Sequence, residues 1–456
     1  MFKKLRSYSK YIIIIIVAAM VITGIYYGIG RFGNVSIRDL EVAVVNGKSI
    51  LYQDYYNYTR QNLLGVSLTR AQEMPVRYQL LNTMINTELV FQEADKLGIK
   101  EKVTEEDIDE YLNEYLEYFQ MTEEELKKEL EKDKKSIADF RKDVRTVLGS
   151  NSRIEQVQEL AYADVHVTEQ EIINEYEEIK LQLIEKAFAE DKEKAEQSIK
   201  EALMKINEGS DFAVIAEEYS DFYTVEPGMF SRKNSLLPDD ITEKAFSLEI
   251  GQLSEIIEDE SSYYLIKILD KKLAEGEEYE EAKEELRENL LKEKQQEAFT
   301  EWLLKLREES EIIIKDPLLS GYHGLVNGDY EFAISELEKA LEEGYVYPMT
   351  YAYLSQAYLN NEQIEKAIEA YDRAIENYPE DWELYYNYGM MLYTLEVPYQ
   401  EKALSMLDNA SAFAGEDIIA HYQLYIAYLQ FGESEKAEYE RNRINEINEK
   451  MMELQE

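Results

Sequence analysis

Three histidines, His166, His323 and His421, lie far apart in the sequence, no pair of them has metal-ligand spacing, and the chain has no cysteine. Disulfides, thiolate metal sites and cysteine nucleophiles are therefore excluded, and no zinc or histidine-based hydrolytic site is expected. The acidic runs Glu105 to Asp109 and Glu123 to Glu125 lack the spacing of a calcium loop and read as helix starts and solvated helix faces. Nothing resembles a phosphate-binding loop, so no cofactor and no metal are expected. The 94 acidic against 49 basic side chains give a formal net charge of −45, which repels phosphate backbones and argues against nucleic acid as a partner. With 45% hydrophobic residues in 456, the chain can still bury substantial cores.

The elements that would carry any site begin at the N-terminus. Tyr11 to Gly30 is a stretch without a charge, long enough at ~1.5 Å per residue to cross the ~30 Å hydrocarbon layer of a bilayer. Lys3, Lys4, Arg6 and Lys10 precede it, so the positive-inside rule puts residues 1–10 in the cytoplasm and the chain after Arg31 outside. A cleaved signal peptide is the alternative; the length of the run and the interfacial pair Tyr26 and Tyr27 favour an uncleaved anchor. Val42 to Val45 then reads as a strand closed by the turn Asn46-Gly47. Leu80, Leu81, Met84, Ile85, Val90, Ala94 and Leu97 recur at helical spacing, with Gly98 where a C-cap glycine belongs. Thr104 with Asp107, Thr122 with Glu125 and Thr168 with Glu171 each predict a capped helix start, making residues 76–178 a helical array.

A turn-rich α+β module follows, with a strand at Lys180 to Ile184, helices at Lys192 to Asn207 and up to Tyr219, and a last strand at Tyr263 to Leu269. A long amphipathic helix spans Tyr279 to Arg307, and Ile312 to Ile314 makes one more strand. Beyond it Ala333, Ala367, Ala403 and Ala437 are spaced by 34, 36 and 34 residues, the period of a tetratricopeptide (TPR) helix pair. Tyr351, Leu354, Tyr358, Ala367, Tyr371, Ala374 and Pro379 supply the pattern in the second unit. By TPR geometry the first helix of each pair lines a groove, exposing Met349, Ala352, Tyr386, Met390, Tyr393, Tyr422 and Ile426. That surface is aromatic and apolar and suits a peptide or protein partner.

The order of elements resembles the SurA, PpiD and PrsA group of extracytoplasmic foldases, with TPR repeats added. The residues carrying the resemblance are VAVVNGKSI, the helix LLNTMINTELVFQEADKLGI, the parvulin-like run from GSDFAVIAEEYS to YYLIKI, and the helix EELRENLLKEKQQEAFTEWLLKLR, over about residues 38–316. The resemblance implies a discontinuous SurA-like chaperone domain at 38–178 and 278–316 with an inserted α+β parvulin-like domain at 179–272; with the apolar run and the alanine period this makes a mostly α fold, with a transmembrane helix at 11–30 and an α-solenoid of about four TPR repeats at 317–450. It implies that Ile312 to Ile314 pairs near Val42 to Val45.

Parvulins catalyse rotation about X–Pro bonds, whose barrier of ~18–20 kcal/mol comes from amide resonance. The family's apolar proline slot corresponds here to Phe230, Leu237, Ile241 and Phe246. Its polar groups do not carry over: Leu183 and Tyr264 stand where the family has histidines, and Phe222 where it has Cys or Asp. Tyr264 and Tyr223 retain a hydroxyl. The reading is therefore a membrane-anchored extracytoplasmic chaperone that binds unfolded or newly secreted polypeptides, with a parvulin-like peptide site and a TPR array for a protein partner. An active prolyl isomerase with an atypical site, or a non-catalytic adaptor of a cell-envelope complex, are the alternatives.

Overall fold

The computed structural model describes residues 40–66, 68–132, 134–188, 191–222, 228–235, 237–395 and 397–453. The expected span at 11–30 and Tyr223 lie outside them, and among the described residues no helix is long and apolar enough to cross a membrane. The chain divides into two compact units, Met1–Val157 with Leu304–Glu456, and Gln158–Leu303.

The first unit opens with the hairpin of β1 (Glu41–Val45) and β2 (Lys48–Leu51). Asn46 and Gly47 both take positive φ, 49° and 80°, the conformation that a two-residue hairpin turn of matching twist requires. Helices α1 (Tyr52–Asn62) and α2 (Arg70–Lys96) pack on it, and Gly98 ends α2 with φ of 69°. Three helices complete this segment: α3 (Glu105–Tyr118), α4 (Glu123–Lys132) and α5 (Ile137–Ala161). At α3 and α4 the expected reciprocal caps form, with Thr104 N–H 2.7 Å from Asp107 Oδ2 and Thr122 N–H 2.8 Å from Glu125 Oε2.

The second unit contains α6 (Glu169–Tyr176), again started by a reciprocal cap between Thr168 and Glu171, then β3 (Glu178–Ala187), α7 (Lys192–Asn207), α8 (Phe212–Tyr219), β4 (Phe230–Ser231), α9 (Asp239–Ser247), β5 (Ile257–Glu258) and β6 (Ser262–Lys272). Its sheet has the order β4-β3-β6-β5, with every pairing antiparallel. The long helix α10 (Gly276–Glu308) follows.

The chain then returns to the first unit. Strand β7 (Ile312–Ile314) pairs with β1 in the register Ala43 to Ile314, Val44 to Ile313 and Val45 to Ile312, giving a three-stranded sheet β2-β1-β7. Pairing of strands this distant in sequence was implied by the resemblance, and the physical reason is burial. Val42, Val45, Leu81, Ile85 and Leu89 form one core with Ile312 and Ile314, each buried aliphatic side chain stabilising by about 1.5–3 kcal/mol. Arg307 fixes the returning segment against α2, donating to Asn82 Oδ1 at 3.0 Å and Asn86 Oδ1 at 2.5 Å.

Four helix pairs complete the unit: α11 (Pro317–Val326) with α12 (Tyr330–Glu342), α13 (Pro348–Asn360) with α14 (Ile364–Asn377), α15 (Trp382–Thr394) with α16 (Gln400–Phe413), and α17 (Ile418–Gln430) with α18 (Ser434–Glu453). The periodic alanines Ala333, Ala367, Ala403 and Ala437 are buried where paired helices approach. Gly321, Gly324 and Gly389 serve the same end, because a Cβ at any of them would collide with the partner helix. Met74 of α2 packs both on the sheet core and on the core of the first repeats, and Tyr78 Oη lies 2.6 Å from His323 Nδ1 of α11. The repeat array is thus built directly onto the N-terminal helices.

Candidate functional site

Strand alternation decides which side chains of the second unit can meet. Along β3 and β6, Ile179, Leu181 and Leu183 share one face of the sheet with Tyr264, Ile266 and Ile268, while Ile184, Tyr263 and Leu265 face α7 and α8. Helix α9 covers the first face with Ile241, Ala245 and Phe246, and Phe230 and Leu237 pack at its edge. All four expected slot residues, Phe230, Leu237, Ile241 and Phe246, therefore come together with Leu183 and Tyr264. Phe212 lies in the core of the opposite face.

Part of the slot is covered. Ile241 and Phe246 are buried, and the Arg232 guanidinium lies over the Phe246 ring, 3.9 Å from its centroid, held between Glu177 and Glu243. Phe230 meets Phe246 edge-on at 6.4 Å, and with Leu183 and Leu237 it forms the half-buried rim.

The polar groups around this face form one chain. Tyr264 is 3% exposed, and its hydroxyl donates to Asp259 Oδ2 at 2.9 Å. Burial and the neighbouring Asp259 push the Tyr264 phenol up to about 12, so it stays protonated at neutral pH. Burial pushes Asp259 the other way from its net position: the Ser261 and Ser262 N–H groups and the Tyr264 hydroxyl outweigh it and hold the carboxyl below the usual range. Glu185 stands directly across from Tyr264 and accepts from Ser262 Oγ at 3.0 Å. Neither Glu185 nor Asp259 was singled out from the sequence. The period of two from Leu183 marks Glu185 as a residue of the same face, whereas Asp259 is brought in by the turn before β6 and has no such signal.

Phe222 is 49% exposed and bridges to Glu185 on the edge of β3 that also pairs with β4. Its neighbours are engaged structurally: Ser220 Oγ accepts from the Glu185 N–H and donates to the Phe222 carbonyl, and Asp221 takes the Ala187 N–H at 3.0 Å and Lys186 at 2.6 Å. His166 is exposed, with Nδ1 3.0 Å from the Asp164 carbonyl, and belongs to no cluster; among the described residues no group of His, Asp and Glu could hold a metal ion.

In the repeat array, α13, α15 and α17 carry one acidic residue, Glu383, and no lysine or arginine. Tyr422 is 59% exposed and Ile426 is also exposed; Ile419 and Leu429 join them at intervals of three and four residues to make one apolar stripe along α17. Tyr386 and Met390 are half-buried against the core of the last repeats, and the Tyr393 ring packs tilted against Phe431 with centroids 4.4 Å apart. Met349 and Ala352 depart from expectation. Ala352 is buried and Met349 half-buried in the core of the first repeats, because α11 and Met74 of α2 cover that end of the groove.

Residues 1–153 match the SurA-like N-terminal domain, residues 167–284 the PPIC-type PPIASE domain and residues 348–391 the tetratricopeptide repeat. Foldase protein PrsA 4 of Bacillus cereus is 31% identical over 189 residues, covering 38% of this chain and 62% of that one. Over these parts the chain is similar to the PrsA and SurA foldases. Chaperone SurA of Chromohalobacter salexigens is 24% identical over 258 residues, 52% of this chain and 58% of that protein. The matches thus span less than two thirds of either relative's own length. The crystal structure of the peptidylprolyl isomerase PrsA from Bacillus cereus aligns over 59% of this chain and 90% of that one, at 23% identity and a TM-score of 0.27.

Proposed function

We propose that this protein is a membrane-anchored, extracytoplasmic holding chaperone whose parvulin-like domain binds peptide without isomerising it. The observation carrying this reading is the slot face itself. Its apolar half is assembled from Phe230, Leu237, Ile241 and Phe246, but Leu183 offers no proton and the Tyr264 hydroxyl is directed at Asp259. Among the described residues a twisted amide in the slot would meet aliphatic and aromatic surface, with the Tyr264 hydroxyl bonded to Asp259 and Arg232 paired with Glu177 and Glu243, so the slot binds the ground state and the rotating state alike and gives no acceleration. The helical N-terminal domain and the α17 stripe supply further contact surfaces. Several weak sites on one anchored chain raise the effective concentration of client, so none needs to be tight.

Anchoring through residues 11–30, with residues 1–10 in the cytoplasm and the bulk outside, follows from the apolar run and its basic flank. The TPR groove, with Tyr386, Met390, Tyr393, Tyr422 and Ile426, would receive a protein partner through uncharged aromatic contact. The test is a pair of assays on the full chain: cis-trans exchange of a proline tetrapeptide by NMR, and suppression of aggregation of a reduced, unfolded client. Suppression without acceleration is the expected result. Acceleration would refute the inactive slot, and failure in both assays would refute the chaperone reading.

A further inference from the structure

Five tyrosines, Tyr52, Tyr55, Tyr345, Tyr347 and Tyr353, line one cavity of about 320 Å3 in the first unit. It lies where α1 and α2 meet α11 and the start of α13, far in sequence from the slot face, and its size is that of a small-ligand pocket, ~300–1,000 Å3. Its charges balance, Arg70 and Arg77 against Glu73 and Asp316. The two arginines are already paired, Arg77 with Glu73 at 2.7 Å and Arg70 with Asp381. Asp316 caps α11 through the Leu319 N–H at 2.9 Å. No free cation is left there for an anionic ligand, and the remaining carboxylate, Asp316, is held by the N-terminal N–H of α11, so the occupant is neutral. Two wall groups, Tyr353 Oη and Arg77 Nε, are buried with no hydrogen-bond partner among the described residues. Both can donate, and a carbonyl oxygen admitted by a shift of these side chains would satisfy them.

We propose that this cavity takes a proline-bearing, extended segment of a client polypeptide. A proline ring is neutral and packs on aromatic faces, and the polyproline conformation around it is pre-ordered, with carbonyls that make no internal hydrogen bonds. A helical or hairpin segment would arrive with its carbonyls already bonded, and a charged one would lose hydration without gaining a counter-charge. The proposal rests on the chaperone reading and names the chemistry of what is held. It also separates proline recognition, at the tyrosine cavity, from the slot of the parvulin-like domain.

The test is fluorescence anisotropy of a fluorescein-labelled nonaproline with the full chain, beside a Gly-Ser peptide and an apolar alanine-leucine peptide of equal length. Met349→Trp fills the cavity and should weaken nonaproline binding at least tenfold. Tyr347 is 57% exposed at the rim, so Tyr347→Ala leaves the fold intact and should weaken binding about five- to tenfold, the usual cost of removing an aromatic contact. Met204→Ala, at an exposed position of α7 in the other unit, should leave it unchanged. Equal binding by the wild type and both cavity variants, or no preference for nonaproline over the two control peptides, overturns the proposal. If nonaproline does not bind while the wild type still suppresses aggregation, the cavity assignment fails and the chaperone reading stands; if the wild type does neither, both fail.

Discussion

Replacing Tyr264 by phenylalanine removes one buried oxygen and separates a structural hydroxyl from a catalytic one. The lost bond is the 2.9 Å contact to Asp259, whose carboxylate keeps the Ser261 and Ser262 N–H groups at 2.7 Å. Asp259 is half-exposed, so water partly replaces the hydroxyl, and the cost is about 1 kcal/mol rather than the ~1.5–3 kcal/mol of a fully desolvated charged bond. A loss of that size lowers the melting temperature of the unit by about 3–5 °C. The alkaline limb should change as well. The native phenol titrates at about 12, above its ordinary value near 10, so its contribution is complete below pH ~10 and is lost as pH rises from there towards 12. The phenylalanine variant lacks that loss. On the acid side Asp259 is held low, so its contribution is present above pH ~4 and lost as pH falls through the depressed value; without the tyrosine hydroxyl that value is less depressed, so the loss is smaller and is complete at a higher pH. Thermal melts of Tyr264→Phe and wild type at pH 7 and pH 11, with NMR exchange of a proline peptide, measure both roles. An unchanged melting temperature together with an exchange rate reduced tenfold or more would refute the structural assignment, since general acid catalysis contributes ~10²–10⁴-fold.

Gly324→Ala should destabilise the first repeat by about 1–3 kcal/mol, because its Cβ would fall 2.9 Å from the Ala333 backbone nitrogen, which cannot give way; a thermal melt of the purified variant checks it. Glu440→Leu should cost about 3–5 kcal/mol, since Glu440 is fully buried, accepts from Ser411, and lies 2.5 Å from His421 Nδ1 while Nε2 faces the Gly415 carbonyl; hydrogen exchange should report loss of protection confined to α17 and α18. Ile313→Pro in β7 removes the N–H of the residue paired with Val44 and should loosen the β2-β1-β7 sheet by about 3 kcal/mol, read as faster proteolysis between residues 40 and 52.

Local chemistry was the most legible part of this chain. Thr104, Thr122 and Thr168 cap their helices through the acidic residues three positions on, because a capping box is complete within four residues. The alanine period gave the four helix pairs, and the Asn46-Gly47 turn gave the hairpin, since both patterns are set by backbone geometry. The pairing of β7 with β1 has no local signature and came from the order of elements. Phe230, Leu237, Ile241 and Phe246 lie on one face of the sheet, but nothing in the sequence shows that Arg232 lies over Phe246 or that Asp259 takes the Tyr264 hydroxyl. Met349 and Ala352 were misplaced for the same reason: helical periodicity assigns a face, and what covers it, here α11 and Met74, arrives from elsewhere in the chain. The tyrosine cavity draws on residues 52–77, 316–319 and 345–353, and only tertiary packing makes these one surface.

The central claim is that the slot face holds peptide without catalysing rotation, and the rate of cis-trans exchange in a proline tetrapeptide, measured by NMR with the full chain beside an aggregation-suppression assay, tests it most directly. An uncatalysed rate, with the unfolded client kept in solution, is the predicted result. Acceleration of exchange that is abolished by Phe230→Ala would place catalysis in the slot and contradict the account.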